Sequence, residues 1–202
     1  MVDGEGAVVD GDLLLYIIAT SRQQSGELHG PVVGTLMTNL GLEHAFQKKS
    51  IPFMRAAVGD RYVLELLQQH GGIIGGESSG HMLCLDRTTT GDGIVSVLQV
   101  LYEVVESGKT LAELTAEVQR YPQKMINVRL RDCKVKSTAI IESAVVDVEQ
   151  RLGERGRVLL RPSGTEPLVR VMVEGQDAGE VNALTEELAE VVRREVGAIT
   201  SL

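Results

Sequence analysis

Tryptophan is absent from this sequence, and two phenylalanines and four tyrosines bring the aromatic fraction to only 3%. A core of ordinary size must therefore be aliphatic. Cysteine is almost as scarce. Cys84 and Cys133 do not make a disulfide framework, and two free thiols fit a reducing compartment. No apolar run reaches the roughly 18 residues that cross a bilayer. Met1-Val2-Asp3-Gly4-Glu5 has neither the basic start nor the apolar centre of a signal peptide, so the expected location is cytoplasmic. Positive charge is also in deficit: 20 Lys and Arg face 28 Asp and Glu, for a net charge of −8. An acidic chain lacks the footprint that nucleic acid or an anionic membrane requires. Any anion it binds must be held at a local site.

What is present is ordinary for a folded protein: 43% hydrophobic and 24% charged residues over 202 positions. That length suits one or two domains. From Pro31 onward the pattern alternates. Residues 32–37, 53–57, 72–76 and 82–85 read as strands. Residues 41–49 and 60–69 read as helices, the second with Tyr62, Val63, Leu66 and Leu67 on one side. Ahead of them, Asp12 is placed to cap a helix starting at Leu13. Asp92 caps a helix in which Ile94, Val97, Leu98, Leu101 and Val105 recur at helical spacing. Thr110 and Glu113 form a capping box for another, with Leu111, Leu114 and Val118 facing in. This order predicts a three-layer α/β/α domain with a mostly parallel mixed sheet.

Tyr121-Pro122 closes that unit. The rhythm then changes to a strand over 125–130, a helix over 138–149 and strands over 157–161 and 168–174. In the last strand Val169, Val171 and Val173 share one face, with Arg170 and Met172 on the other. A final helix carries Val181, Leu184, Leu188, Val191 and Val192. The prediction is a small α+β domain of βαββα order, giving domains at 12–122 and 123–202 behind a short leading piece, 1–11.

Two loops carry chemistry. Arg161-Pro162-Ser163-Gly164-Thr165-Glu166-Pro167 joins two strands and gathers a guanidinium, two hydroxyls and a glycine that permits positive φ, so that N–H groups can turn inward. Arginine matches phosphate oxygens with a planar fork, and Arg170 on the next strand can converge on the same anion. An ordinary tight turn is the plain alternative, outweighed by this concentration of donors. Gly75-Gly76-Glu77-Ser78-Ser79-Gly80-His81 leaves a strand end, where open α/β sheets place ligands. Glu77 and Ser79 suit sugar hydroxyls, and His81 can move a proton near neutral pH. A Gly-rich connection with a surface histidine competes evenly with that reading. Asp60 and Arg61, just past the second strand, are further candidates. Asp10-Gly11-Asp12 and Thr88-Thr89-Thr90-Gly91-Asp92 are read as turns and helix caps, and His29, His44 and His70 as surface residues.

Gly76-Glu77-Ser78-Ser79-Gly80-His81, followed by Arg161-Pro162-Ser163-Gly164-Thr165-Glu166-Pro167-Leu168-Val169-Arg170, resembles the α-D-phosphohexomutases. Val33-Gly34-Thr35-Leu36-Met37-Thr38-Asn39-Leu40-Gly41-Leu42, Val58-Gly59-Asp60-Arg61-Tyr62-Val63 and Thr88-Thr89-Thr90-Gly91-Asp92-Gly93 are similar to its bacterial branch that acts on glucosamine phosphates. The resemblance runs over essentially the whole chain. It implies the third and fourth of the family's four domains, with 1–11 as the end of the second, metal-loop domain. It also implies an isomerase that interconverts glucosamine 6-phosphate and glucosamine 1-phosphate through a phosphoserine and a bisphosphate. Glu77 and Ser79 would then hold the sugar. Arg161, Ser163, Gly164, Thr165 and Arg170 would hold the phosphate, with His81, and less strongly Asp60 and Arg61, as acid–base groups.

The family's phosphoserine loop, of Thr-Ala-Ser-His-Asn-Pro type, and its magnesium loop, of Asp-Gly-Asp-Gly-Asp-Arg type, have no match here. No metal ligand is therefore expected in this chain, Mg²⁺ belonging to the full-length family, and the chain alone is expected to be inactive. The expected partner is a phosphosugar, without nucleic acid or membrane, and a homodimer is an expected assembly. Three other readings stay open: a phosphomannomutase or phosphoglucomutase, a stand-alone phosphosugar-binding module, and a structural domain whose loops are relics.

Overall fold

The computed structural model describes residues 1–130, 138–163 and 166–196. The chain divides into two compact units, Met1–Arg120 and Tyr121–Leu202.

The first unit runs α1 (Gly11–Gln24), β1 (Val32–Thr35), α2 (Leu40–Lys48), β2 (Phe53–Ala56), α3 (Asp60–His70), β3 (Ile74–Gly76), β4 (Met82–Cys84), α4 (Gly93–Ser107) and α5 (Leu111–Thr115). Its sheet has the order β2-β1-β3-β4. β1 lies parallel to β2 and β3, and β4 closes the edge antiparallel to β3. β1 is buried on both faces, as a central parallel strand must be. Its successive valines serve opposite faces. Val32 joins α1, α2, Ile74 and Met82 on one side. Val33 joins Ala56, Leu83 and the α3 residues Val63 and Leu67 on the other. The result is the three-layer α/β/α arrangement. α1 is apolar nearly all round, and Leu15, Tyr16, Ile17, Ile18 and Ala19 are fully buried. Phe46 is sealed between the rings of Tyr16 (5.8 Å between centroids) and Phe53 (5.6 Å).

Three expectations need correction. Asp10, not Asp12, caps α1, accepting from the N–H of Leu13 at 3.3 Å. The helix starts two residues earlier, at Gly11, so Asp12 falls inside it, where its buried carboxylate accepts from the N–H of Asn39 at 2.8 Å. The capping box of Thr110 and Glu113 forms, but α5 ends at Thr115, and Val118 reaches the core from the turn beyond. The third concerns the apolar residues of α3 and α4. On α3, Val63 and Leu67 are buried, whereas Tyr62 is exposed. On α4 only Ser96 and Val100 turn inward, and Ile94, Leu98, Tyr102 and Val105 are 55–81% exposed. Leu98→Gln should therefore change unfolding free energy by less than about 0.5 kcal/mol. Val100→Ala should cost about 1–3 kcal/mol. Urea denaturation of the two variants checks the assignment.

The second unit runs β5 (Gln123–Arg129), α6 (Ala139–Leu152), β6 (Gly156–Pro162), β7 (Leu168–Gly175) and α7 (Ala178–Val196). Its antiparallel sheet has the order β5-β7-β6. Val169 and Val171 pack on Ile141 of α6 and on Leu188 and Val192 of α7. Val173 packs on Val148, Leu152, Val181 and Leu184. Both helices thus cover one face of the sheet. On the other face Glu174, fully buried, is held by the Nε of Arg157 at 2.6 Å. Among the described residues, no helix is long and apolar enough to cross a membrane.

Candidate functional site

In the first unit, the loops at the carboxyl ends of the parallel strands β2 and β3 bring four candidate residues together. β3 leads into a turn closed by two backbone bonds. The N–H of Glu77 donates to the carbonyl of His81, and that of Gly80 to the carbonyl of Glu77, both at 2.9 Å. Gly80 sits at φ +102°, a conformation that side chains disfavour. The carboxylate of Glu77 is nearly buried, and its Oε1 accepts from the N–H of Gly59 at 2.7 Å. Gly59, at φ +128°, immediately precedes α3. That bond fixes one carboxylate oxygen, and the other, Oε2, lies beside Ser79 and His81. Ser79 Oγ lies 3.4 Å from Oε2, and His81 Nδ1 lies 3.9 Å from it. His81 Nδ1 is also 3.7 Å from Asp60 Oδ1 at the start of α3. Asp60, Glu77, Ser79 and His81 form one cluster of acceptors with a hydroxyl and an imidazole. Such a set can bind a polyol. Arg61 is not part of it, because its guanidinium turns outward to Glu65, 2.7 Å away and one helical turn on.

Two residues that position this loop were missed by sequence reasoning. Gly59 is one. The other is Gly11, whose N–H donates to the carbonyl of Ser78 at 3.2 Å. A Cβ on Gly11 would lie 1.9 Å from the carbonyl oxygen of Glu77 and 2.6 Å from the nitrogen of Gly80. Both contacts are to backbone, which cannot rotate away. Gly11→Ala should therefore displace residues 77–80 and cost about 1–3 kcal/mol. Amide NMR shifts centred on that turn, together with a lowered urea midpoint, are the expected signs. No local signal marks either glycine, since each acts across a long stretch of chain.

In the second unit the register of the sheet assembles positive charge. Arg161 and Arg170 are direct cross-strand partners on β6 and β7. Arg170 also faces Asn127 of β5, and Arg129 faces Leu168, so Arg129 lies diagonally from Arg170 on the same face. That face is opposite the one covered by α6 and α7. Like charges set directly opposite are destabilising, and among the described residues none of these three arginines makes an ion pair. A dianion placed between them would relieve this repulsion. Next to them, the N–H of Ser163 donates to the carbonyl of Leu168 at 2.8 Å. Ser163 Oγ in turn accepts from the N–H of Glu166 at 3.3 Å. Gly164 and Thr165 lie outside the described residues. Arg129 was not singled out from the sequence, although the two-residue period of β5 puts it on the face of Arg170.

The acidic pair near the amino terminus does not suit a metal. Asp10 caps α1 and pairs with Arg120, while Asp12 is buried on Asn39, so the two carboxylates do not converge. The magnesium implied by the family resemblance has no fitting ligand set there, and no step is derived through it. Asp92 is occupied as a cap, accepting from the N–H groups of Ile94 and Val95 at 2.8 and 3.0 Å. Cys84 is buried, and burial, with Asp86 nearby, pushes its thiol up to about 11, which makes it inert. Cys133 lies outside the described residues.

A three-layer α/β/α unit followed by a small α+β unit, each bearing one polar loop, defines a pair of domains of the phosphohexomutase type. Residues 10–121 match the family model of the phosphoglucomutase/phosphomannomutase α/β/α domain III, and residues 125–191 that of the C-terminal domain. The chain belongs to the phosphoglucomutase/phosphomannomutase family. It is 58% identical over 195 residues to the phosphoglucosamine mutase of Methylococcus capsulatus, covering 96% of this chain and 44% of that protein. To the phosphoglucosamine mutase of Alkalilimnicola ehrlichii it is 58% identical over 202 residues, covering 100% of this chain and 45% of the relative. The chain therefore spans about half the length of the curated relatives it matches. Among solved structures it is similar in fold to Aspergillus fumigatus N-acetylphosphoglucosamine mutase in complex with GlcNAc-6P and magnesium. That match has a TM-score of 0.80 at 20% identity and covers 97% of this chain and 46% of that one.

Proposed function

We propose that this chain supplies the sugar and phosphate recognition of a cytoplasmic isomerase that interconverts glucosamine 6-phosphate and glucosamine 1-phosphate. The observation that carries the reading is the opposed pair Arg161 and Arg170, without ion-pair partners among the described residues, beside Ser163. In this reading they hold the phosphate that is not being transferred, together with Gly164 and Thr165, and Arg129 adds a third guanidinium. Glu77 and Ser79 hold sugar hydroxyls. His81, with Asp60 beside it, moves the proton of the reacting hydroxyl. Arg61, held by Glu65, has no part. An intramolecular phosphoryl transfer presents its substrate two ways round, which calls for one fixed phosphate anchor and a tolerant sugar platform. The preference for glucosamine over mannose or glucose is supported by the names of the relatives at 58% identity.

Calorimetric titration tests the sugar. Glucosamine 6-phosphate is expected to bind more tightly than mannose 6-phosphate, and Glu77→Ala to erase the difference. Equal affinities for the parent protein would return the assignment to the family as a whole.

A further inference from the structure

The cluster Asp60, Glu77 and His81 holds more than a polyol needs. One ligand atom from each lies within 4.8 Å of the other two. His81 Nδ1 stands 3.7 Å from Asp60 Oδ1 and 3.9 Å from Glu77 Oε2. Both separations are too long for an N–H···O bond, which closes at about 2.7–3.2 Å. An imidazole nitrogen thus lies near two carboxylate oxygens with no hydrogen bond joining it to either, and the space between them favours a cation. Its size is also informative. A tetrahedral zinc ion with ligands at about 2.0–2.2 Å sets neighbouring donor atoms about 3.4 Å apart. The two separations from His81 exceed this by about 0.3 and 0.5 Å, the third ligand atom lies within 4.8 Å, and Asp60 and His81 are exposed enough to close the set. Glu77 is the fixed member. Its other oxygen is tied to the N–H of Gly59, the kind of outer bond that orients a ligating carboxylate. The backbone-bonded turn over residues 77–81 sets Glu77 and His81 four residues apart on one side.

We propose that Asp60, Glu77 and His81 form a binding site for a zinc-like divalent transition-metal ion, with the fourth position open to solvent. One imidazole nitrogen and two carboxylate oxygens suit zinc, cobalt or nickel. Magnesium prefers an all-oxygen octahedron and gives up its waters reluctantly. The site is separate from the Asp10 and Asp12 segment and departs from the expectation that this chain holds no metal. It is argued from geometry, but it takes the same Asp60, Glu77 and His81 that the proposed sugar reading uses, so metal and sugar compete for these groups.

The test is titration of the full chain with zinc chloride in a non-chelating buffer, followed by calorimetry and amide NMR. One ion per chain is expected, with shifts centred on residues 59–61 and 77–81. His81→Ala and Asp60→Asn should each weaken binding at least about tenfold. Both side chains are exposed, and unchanged amide spectra elsewhere will show that the variants fold. Magnesium chloride at the same concentration should leave these residues unshifted. The site is refuted if zinc binds the parent and His81→Ala alike. It is equally refuted if the shifts centre on Cys84 or on His29, His44 and His70.

Discussion

The 202-residue chain by itself should convert no detectable glucosamine 6-phosphate into the 1-phosphate. Phosphoryl transfer needs a group to give and receive the phosphoryl and a charge to neutralise it in flight. Nothing in the sequence matches the Thr-Ala-Ser-His-Asn-Pro loop that the family resemblance implies as the phosphoryl donor. The two carboxylates nearest in appearance to a magnesium loop are engaged elsewhere, Asp10 on Leu13 and Arg120 and Asp12 on Asn39. In the proposed reading the two units offer recognition, and positioned recognition without the reacting groups gives binding but no turnover. A coupled assay on highly purified chain should match the protein-free control. Conversion that copurifies with the chain and falls in Arg161→Ala would contradict this.

The largest expected loss of stability comes from Phe46→Ala, at about 3–5 kcal/mol. Phe46 is fully buried and its ring lies against both Tyr16 and Phe53. It thus ties α2 to α1 and to β2, the strand that leads to Gly59 and Asp60. With so few aromatics, no neighbour can fill the space, and the surrounding aliphatic side chains collapse only partly. Equilibrium urea denaturation should show the midpoint of the first unit lowered while that of the second stays in place. A cost below about 1 kcal/mol would mean that the ring is not packed as described.

Much of this architecture was legible from local pattern. Alternation of strand and helix marked the first unit, and the valines at 169, 171 and 173 marked the covered face of the second sheet. The cap at Asp92 and the capping box at Thr110 lie where short-range hydrogen bonding puts them. The apolar spacing of α4 correctly gave a helix, but periodicity shows only that residues share a side, not that anything covers it. The assignment of Asp12 as a cap failed for a related reason. Either aspartate can cap, and the choice was made by Asn39, 27 residues away.

The candidate site divides in the same way. The loops around Glu77 and Arg161 stood out because several donor and acceptor types crowd into a few positions. Gly11, Gly59 and Arg129 did not stand out. Their importance lies in a backbone approach, a long-range hydrogen bond and a strand register, each set by the folded chain. Arg61 shows the converse, since its neighbour in sequence joins the cluster while its own side chain is drawn away by Glu65.

The central claim is that Arg161 and Arg170 anchor a phosphate, and amide NMR during titration with inorganic phosphate tests it most directly. Binding should be weak and should fall with added salt, since a half-exposed anion site is screened. The amides of Arg161, Ser163 and Arg170 should shift together. Charge-assisted hydrogen bonds are worth about 1.5–3 kcal/mol each, so Arg161→Ala should weaken binding at least about tenfold. Arg161→Lys should restore only part of it, because lysine lacks the planar fork. Shifts that leave these residues untouched, or an Arg161→Ala variant that binds phosphate as well as the parent, would contradict the account.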